Sequence, residues 1–460
     1  MNENKRQDLL DRMKNLHKTV EQERQSRTAE AAVLRPAARK QPRFDELTEY
    51  KQVLVQKMAG EQLGMANPFY RAHEAASGAT ALIGGRRYDN FASYDYLGLN
   101  QHPAVIAKAE EALRQYGVSA SASRLVAGER TIHSALEDAL AKNYEAEAAV
   151  CFVSGYLTNV AAIGCIMGPR DLVIHDEFIH NSALSGIKLS GANRRFFKHN
   201  DMADLERLLR TMGGDYERIL VVTEGIYSMD GDVADLPGLI KLKQEFGFWL
   251  MMDEAHSLGV LGDTGRGIFE HFGTSPSEVD IWMGTLSKTT CSCGGYIAGS
   301  EALITLLKAQ AGGFVYSVGL APALAASALA SLSVLKDEPE RVHALRRNSG
   351  IFLEYARERG LDIGLSQGYS VVPVIVADSL RAVQLSNELF EAGVNVLPII
   401  HPAVPEGLAR LRFFITSAHT EEQIRRTVDL TADILGKLKE RNFGIGSASV
   451  MQVLARLAQA

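Results

Sequence analysis

Residues 248–256 read Phe248-Trp249-Leu250-Met251-Met252-Asp253-Glu254-Ala255-His256. An unbroken apolar run that ends in acidic residues is the pattern of a strand buried on both faces, with charge beginning where the strand stops. A carboxylate at that point is costly unless something pairs with it. The same pattern recurs outward from this stretch. Residues 148–153, 172–175, 218–222 and 281–284 also read as buried strands, separated by stretches of helical periodicity across residues 103–336. This alternation predicts an α/β fold, a mostly parallel sheet with helices on both faces.

The 460 residues are 46% hydrophobic, ample for a large core and for two packed domains. A net charge of -6 spread through the chain gives no pull toward nucleic acid. No apolar run is long enough to cross a bilayer and the charged N-terminus is unlike a secretory signal, so the expectation is a cytoplasmic protein. Cys151, Cys165, Cys291 and Cys293 lack the spacing of a metal site and read as buried reduced thiols.

Composition divides the chain into five parts. Residues 1–43 form a charged extension, either a solvated tail or a docking helix built on Leu9, Leu10, Met13 and Leu16. Residues 44–102 begin with a helical stretch, reach the turn Asn67-Pro68-Phe69, and mix strand and turn signals around Gly98. Residues 103–336 carry the sheet. Residues 337–440 read as a smaller α+β domain, with strands at 369–376 and 411–415 and helices at 380–391 and 421–438. Thr420 and Gln423 have capping-box spacing for the last of these. Residues 441–460 are a tail.

Ligands in open α/β sheets bind beyond the carboxyl ends of strands, so the residues after each apolar run carry the chemistry. Asp253 and His256 follow the first. Thr285-Leu286-Ser287-Lys288 follows the run at 281–284, and a lysine amine there can form a Schiff base with an aldehyde cofactor while the Thr285 hydroxyl holds a phosphate. Ser154-Gly155-Tyr156 turns a strand into a helix whose first N–H groups favour an anion. His180 follows the run ending at His175, and Ser228 lies just beyond Glu224. Asp253-Glu254-Ala255-His256 alone also occurs as the acidic box of helicases, but the phosphate loop that would accompany it is missing from this chain.

The order and spacing of these segments, with Asp253–Gly259, Gly284–Lys288, Ser228-Met229-Asp230-Gly231-Asp232, Arg410-Leu411-Arg412 and Ala418-His419-Thr420, resemble the α-oxoamine synthase family of fold-type I pyridoxal-phosphate enzymes. The resemblance runs from about residue 67 to 438. It implies a large, mostly parallel-sheet domain with a smaller C-terminal α+β domain. It also implies pyridoxal 5'-phosphate (PLP) as cofactor. Lys288 would then bind the cofactor and move the α-proton, and Asp253 would pair with the pyridine nitrogen. His180 would stack on the ring, and His256 and Ser228 would bond its phenolic oxygen. Ser154, Gly155, Tyr156 and Thr285 would hold the phosphate. Arg412 would grip the amino-acid carboxylate, a task suited to a guanidinium. Family enzymes are homodimers, so Ser317 would reach the phosphate of a neighbouring subunit. No metal, nucleic acid or membrane is implied.

The implied reaction is decarboxylative condensation of a small amino acid with an acyl thioester, giving an α-amino ketone, carbon dioxide and thiol. An aminotransferase on the same fold is the alternative. A non-catalytic subunit would lack the lysine that this chain keeps. Two departures stand out. Serines and alanines occupy residues 119–123, before Arg124, where many members have glycines, and Asp95 replaces an asparagine near the expected substrate pocket. The serine-rich stretch and the segment at Asn67 look more like polyketide-associated members, which implies an acyl carrier protein in place of coenzyme A. The positively charged extension would suit that acidic partner.

Overall fold

The computed structural model describes residues 41–405 and 407–444. The expected helix at Leu9–Leu16 and all but the first residues of the C-terminal tail lie outside them. The chain divides into two compact units at Gln62/Leu63, so the segment expected at 44–102 is shared between them. The first unit contains a 3₁₀ turn at Phe44–Glu46 and a helix at Thr48–Gln62. Everything below concerns the second.

Its strands, in chain order, are β1 Thr80–Ile83, β2 Arg86–Asn90, β3 Ala148–Phe152, β4 Leu172–Asp176, β5 Asn193–Phe197, β6 Ile219–Glu224, β7 Trp249–Asp253, β8 Ile281–Thr285, β9 Gly295–Gly299, β10 Val371–Ala377, β11 Val394–Asn395, β12 Leu397–Ile399 and β13 Ala409–Phe414. Seven form the large sheet, in the order β3-β9-β8-β7-β6-β4-β5. Only β9 runs against its neighbours, so the expectation of a mostly parallel sheet holds. Each predicted strand in this sheet is present to within two residues.

The unbroken apolar runs have a direct cause. Successive side chains enter two different cores, one on each face of the sheet. In β7, Leu250 and Met252 join the larger core while Met251 joins the smaller. In β8, Trp282 points to the first and Ile281 and Met283 to the second. The larger core continues without a break through Phe352, Leu411, Phe413 and Leu438. The C-terminal α+β part, built on the antiparallel sheet β10-β13-β12, therefore packs on the large sheet as part of one compact unit. The capping box at Thr420 and Gln423 forms as expected at the start of the helix Glu421–Glu440.

Several strands, β1, β2, β5 and β9 among them, were not legible in the sequence. β5 is an edge strand with four exposed residues, and Arg194 and Arg195 interrupt its apolar pattern. β1 and β2 form a hairpin about Gly84 and Gly85, both at positive φ, as a tight hairpin turn requires. β9 begins in the glycine-rich stretch after Lys288. Gly295 is needed there because a Cβ would lie 2.7 Å from the Cα of Gly155, where a helix crosses the sheet. No helix among the described residues is long and apolar enough to cross a membrane.

The serine- and alanine-containing stretch before Arg124 leads into a buried ionic cluster. Arg124 binds Glu129 and Glu137, Lys308 Nζ lies 3.0 Å from Glu137, and the Cys151 N–H donates to Glu137 at 2.8 Å. Glu137 thus neutralises two cations and satisfies a β3 N–H on the sheet's open edge. Replacing it leaves a buried guanidinium short of its counter-charge. Glu137→Ala is expected to cost about 3–5 kcal/mol, read as a lower midpoint in thermal or denaturant unfolding. An unchanged midpoint would contradict this account of the cluster.

Candidate active site

The strand ends converge on a cavity of about 360 Å³, lined by residues from β3, β6, β7 and β8 or the loops beyond them. Asp253 closes β7. Its carboxylate accepts from Asn159 Nδ2 at 2.9 Å and from the Ala255 N–H at 3.0 Å, and it is buried. Glu224 closes β6 and stands directly opposite Asp253 in the parallel register. One of its oxygens accepts from the Ser228 N–H at 3.3 Å and the other is buried and makes no hydrogen bond among the described residues. Burial, then the charge on Asp253, pushes the Glu224 carboxyl well above its ordinary range.

Lys288 follows β8 in a turn closed by the Cys291 N–H on the Lys288 carbonyl. Burial lowers its amine to about 8, opposed by Asp253 and Glu224 and helped by Arg412. Two histidines complete this part of the cavity, and their bonds fix their tautomers. Ser182 Oγ lies 2.7 Å from His180 Nδ1 and accepts from Asn159 Nδ2, so the serine proton points at the histidine. His180 Nδ1 is then an acceptor and its proton resides on Nε2. Tyr96 Oη lies 2.7 Å from His256 Nδ1. Burial raises the phenol, so the tyrosine donates and His256 also carries its proton on Nε2. Burial lowers both imidazoles, which keeps them neutral.

The opposite end of the cavity suits a phosphate. Ser154 caps the helix Gly155–Ile166 by accepting from the Leu157 N–H, and the Gly155 and Tyr156 N–H groups make no hydrogen bond among the described residues. Thr285 Oγ1 and Ser287 Oγ lie beside them, 2.9 Å apart. A Cβ on Gly155 would meet Thr285 Oγ1 at 2.6 Å, so glycine lets the two elements close around the space. The Tyr156 hydroxyl is spent on Asn181 and Ser185, leaving its backbone N–H for an anion. Ser228 Oγ makes no hydrogen bond among the described residues and faces the cavity.

Arg412 enters from β13. Its Nη1 donates to the Ser228 carbonyl at 2.9 Å, its guanidinium lies 4.7 Å over the Phe414 ring, and its Nε is buried with no hydrogen bond among the described residues. The residue lines the cavity, and a guanidinium there suits a ligand carboxylate.

Most expected residues therefore meet in one place: Ser154, Gly155, Tyr156, His180, Ser228, Asp253, His256, Thr285, Lys288 and Arg412 all line the cavity. Asp95 does not. Its carboxylate accepts from the N–H groups of Leu99 and Asn100 and from Cys291 Sγ at 3.0 Å, so it holds a turn together behind the cavity wall. Ser317 is half-buried and lies outside the lining. Cys293 is exposed and lines the cavity, contrary to the expectation of a buried thiol, because the chain after Lys288 bends into the phosphate end. Asn159, Ser182, Glu224, Ser287 and Tyr94 belong to the site but were not among the expected residues. Asn159 was in principle readable, four residues after Gly155 and so on the same helix face.

This donor set fits pyridoxal phosphate. It offers a carboxylate for a ring nitrogen, an amine for an aldehyde, donors for a phenolic oxygen and a cradle for a phosphate.

Comparison with known proteins points the same way. The aminotransferase class I and II model matches residues 88–430. The 8-amino-7-oxononanoate synthase of Symbiobacterium thermophilum is 40% identical over 372 residues, covering 81% of this chain and 94% of that one. Bacillus subtilis 8-amino-7-oxononanoate synthase 1 is 37% identical, covering 78% and 90%. Among solved structures, Sphingomonas wittichii serine palmitoyltransferase superposes with a TM-score of 0.81 at 29% identity, covering 85% of this chain and 98% of that one. The Francisella tularensis 8-amino-7-oxononanoate synthase gives 0.66 at 26%, covering 77% and 98%. The chain belongs to the α-oxoamine synthase group of the aminotransferase class I and II family, pyridoxal-phosphate enzymes of fold type I.

Proposed function

We propose that this protein condenses a small amino acid with an acyl thioester, releasing carbon dioxide and thiol and giving an α-amino ketone. The observation that carries the reading is that Lys288, the buried Asp253–Glu224 pair and Arg412 line one cavity. When bound, PLP supplies an aldehyde for the amino group and a protonated ring that accepts electrons from bonds broken at the α-carbon. Asp253, fixed by Asn159 and Ala255, holds the ring nitrogen's proton. His256 Nε2–H and the free Ser228 hydroxyl donate to the phenolic oxygen. Arg412 takes the substrate carboxylate. Lys288, with an amine near 8, exchanges a proton with the α-carbon close to neutral pH.

The likeness to 8-amino-7-oxononanoate synthases and serine palmitoyltransferase supports the acyl-transfer reading over transamination. The donor thioester is proposed as carrier-bound or on coenzyme A, and turnover of matched acyl-carrier and acyl-coenzyme A substrates separates the two.

Removing the lysine tests the core of the reading. Lys288→Ala is expected to abolish the borohydride-reducible visible absorbance of the PLP-loaded protein and to lower turnover by at least about 100-fold. A mutant that keeps that absorbance would reject Lys288.

Arg412→Ala is expected to raise KM for the amino acid by about 10- to 100-fold, the worth of one charge-assisted bond, with the visible band intact. An unaltered KM would place the carboxylate elsewhere.

Cofactor uptake carries a pH signature. Below about 8 the Lys288 amine is protonated and cannot attack an aldehyde. Growth of the visible band after adding PLP to cofactor-free protein should speed up as pH rises and level off above about 8. A profile flat through that pH would contradict the lowered amine.

A further inference from the structure

We infer that Tyr94 sets the size limit on the amino-acid substrate by walling the space between Lys288 and Arg412. The inference rests on the function proposed above. Tyr94 lies in the loop after β2 and lines the cavity while remaining 40% exposed, so it stands at the mouth. Its ring centroid is 5.7 Å from Lys288 Nζ. Its edge meets Phe414 at 4.7 Å, and Phe414 is the ring on which the Arg412 guanidinium rests. It also stands edge-on to His256 at 6.5 Å. Tyr94 therefore touches, directly or through one ring, both groups that must grip the amino acid.

The position of the substrate side chain follows by elimination. The α-proton must face Lys288 and the carboxylate must reach Arg412. Ser154, Gly155, Tyr156, Thr285 and Ser287 occupy the phosphate end. Asp253, Ser228, His180 and His256 are committed to the ring, and Met283 packs into the smaller core. Of the large side chains in the lining, Tyr94 and Met229 remain beside the α-carbon, and Met229 already lies 3.8 Å from Arg412 Nη1. Tyr94 is the stiff member of the two. Two ring contacts, with His256 and Phe414, hold it from the sides, so it cannot swing away without cost. Its hydroxyl makes no hydrogen bond among the described residues, so the ring itself is the selecting feature. A branched side chain on the substrate would press against that ring.

The experiment is a spectral titration of PLP-loaded protein with glycine, alanine, serine and valine. Tyr94→Ala and Tyr94→Phe are titrated alongside wild type. In wild type, affinity should fall steeply at valine. In Tyr94→Ala the glycine-to-valine ratio should shrink by at least about tenfold, the usual effect of a methylene or two in a closed pocket. Tyr94→Phe should keep the wild-type ranking. If Tyr94→Ala fails to load PLP, Tyr94→Leu reads the same ratio with a non-polar wall retained. An unchanged ratio in a loaded variant with the ring removed overturns the inference. So does a ranking lost in Tyr94→Phe, since that would make the hydroxyl the selecting group. Failure of wild type to take up PLP, or to respond to any amino acid, would instead strike the proposed function.

Discussion

Two carboxyl groups, Glu224 and Asp253, end adjacent parallel strands in register, and both are buried. In a low-dielectric interior two such groups cannot both be ionised cheaply, because each disfavours charge on the other. The structure separates their roles by what surrounds them. Asp253 accepts two N–H bonds, while Glu224 accepts one from Ser228, its other oxygen makes none among the described residues, and burial beside Asp253 holds it toward the acid. A single negative charge is thereby placed at the floor of the cavity, and the Lys288 amine and the Arg412 guanidinium take their positions around it. The neutral histidines follow from the same economy. With two cations already near, a third would be repelled, and Lys288 is the second-largest cause lowering His256 after burial.

Much of this was visible in the sequence because burial on both faces leaves a signature. Apolar runs at 148–153, 172–175, 218–222, 248–252 and 281–284 must be strands if both faces of the sheet are covered, and the residues that follow must lie at one edge. That reasoning recovered nine of the cavity residues without any knowledge of side-chain direction, and the family resemblance added Arg412. It missed those whose part depends on direction. Asn159 and Ser182 are ordinary helix residues until the helices Gly155–Ile166 and Asn181–Ser190 pack together and the amide bridges Asp253 to the His180 partner. Asp95 and Tyr94 exchanged roles for a related reason. The chain after β2 is a loop, where no periodicity indicates which neighbour faces inward, and the acidic residue turned away to cap its own backbone.

Glycine supplies the close approaches that apolar patterning cannot express. Gly155 and Gly295 bring the helix start against β9, and Gly284 lets the Tyr296 ring lie across β8. That ring meets Tyr144 through a hydroxyl pair 2.6 Å apart, behind the strand that delivers Lys288. The reversed strand β9 is thus the backing on which the lysine turn rests. The sequence disguised it because the residues that allow the contact are those that weaken a strand pattern.

Asp95 illustrates how a residue outside the cavity can still govern it. Its carboxylate gathers the Leu99 and Asn100 N–H groups and Cys291 Sγ, and Cys291 adopts a positive φ of 47° while its N–H closes the turn on Lys288. A non-glycine residue holds that conformation only when its surroundings over-determine it. Here they do so from two directions, the carboxylate on its sulfur and the lysine carbonyl on its nitrogen. The same short loop carries Tyr94 on one side of Asp95 and Tyr96, the partner of His256, on the other. One buried carboxylate therefore couples the turn that presents the amine to the loop that presents both tyrosines.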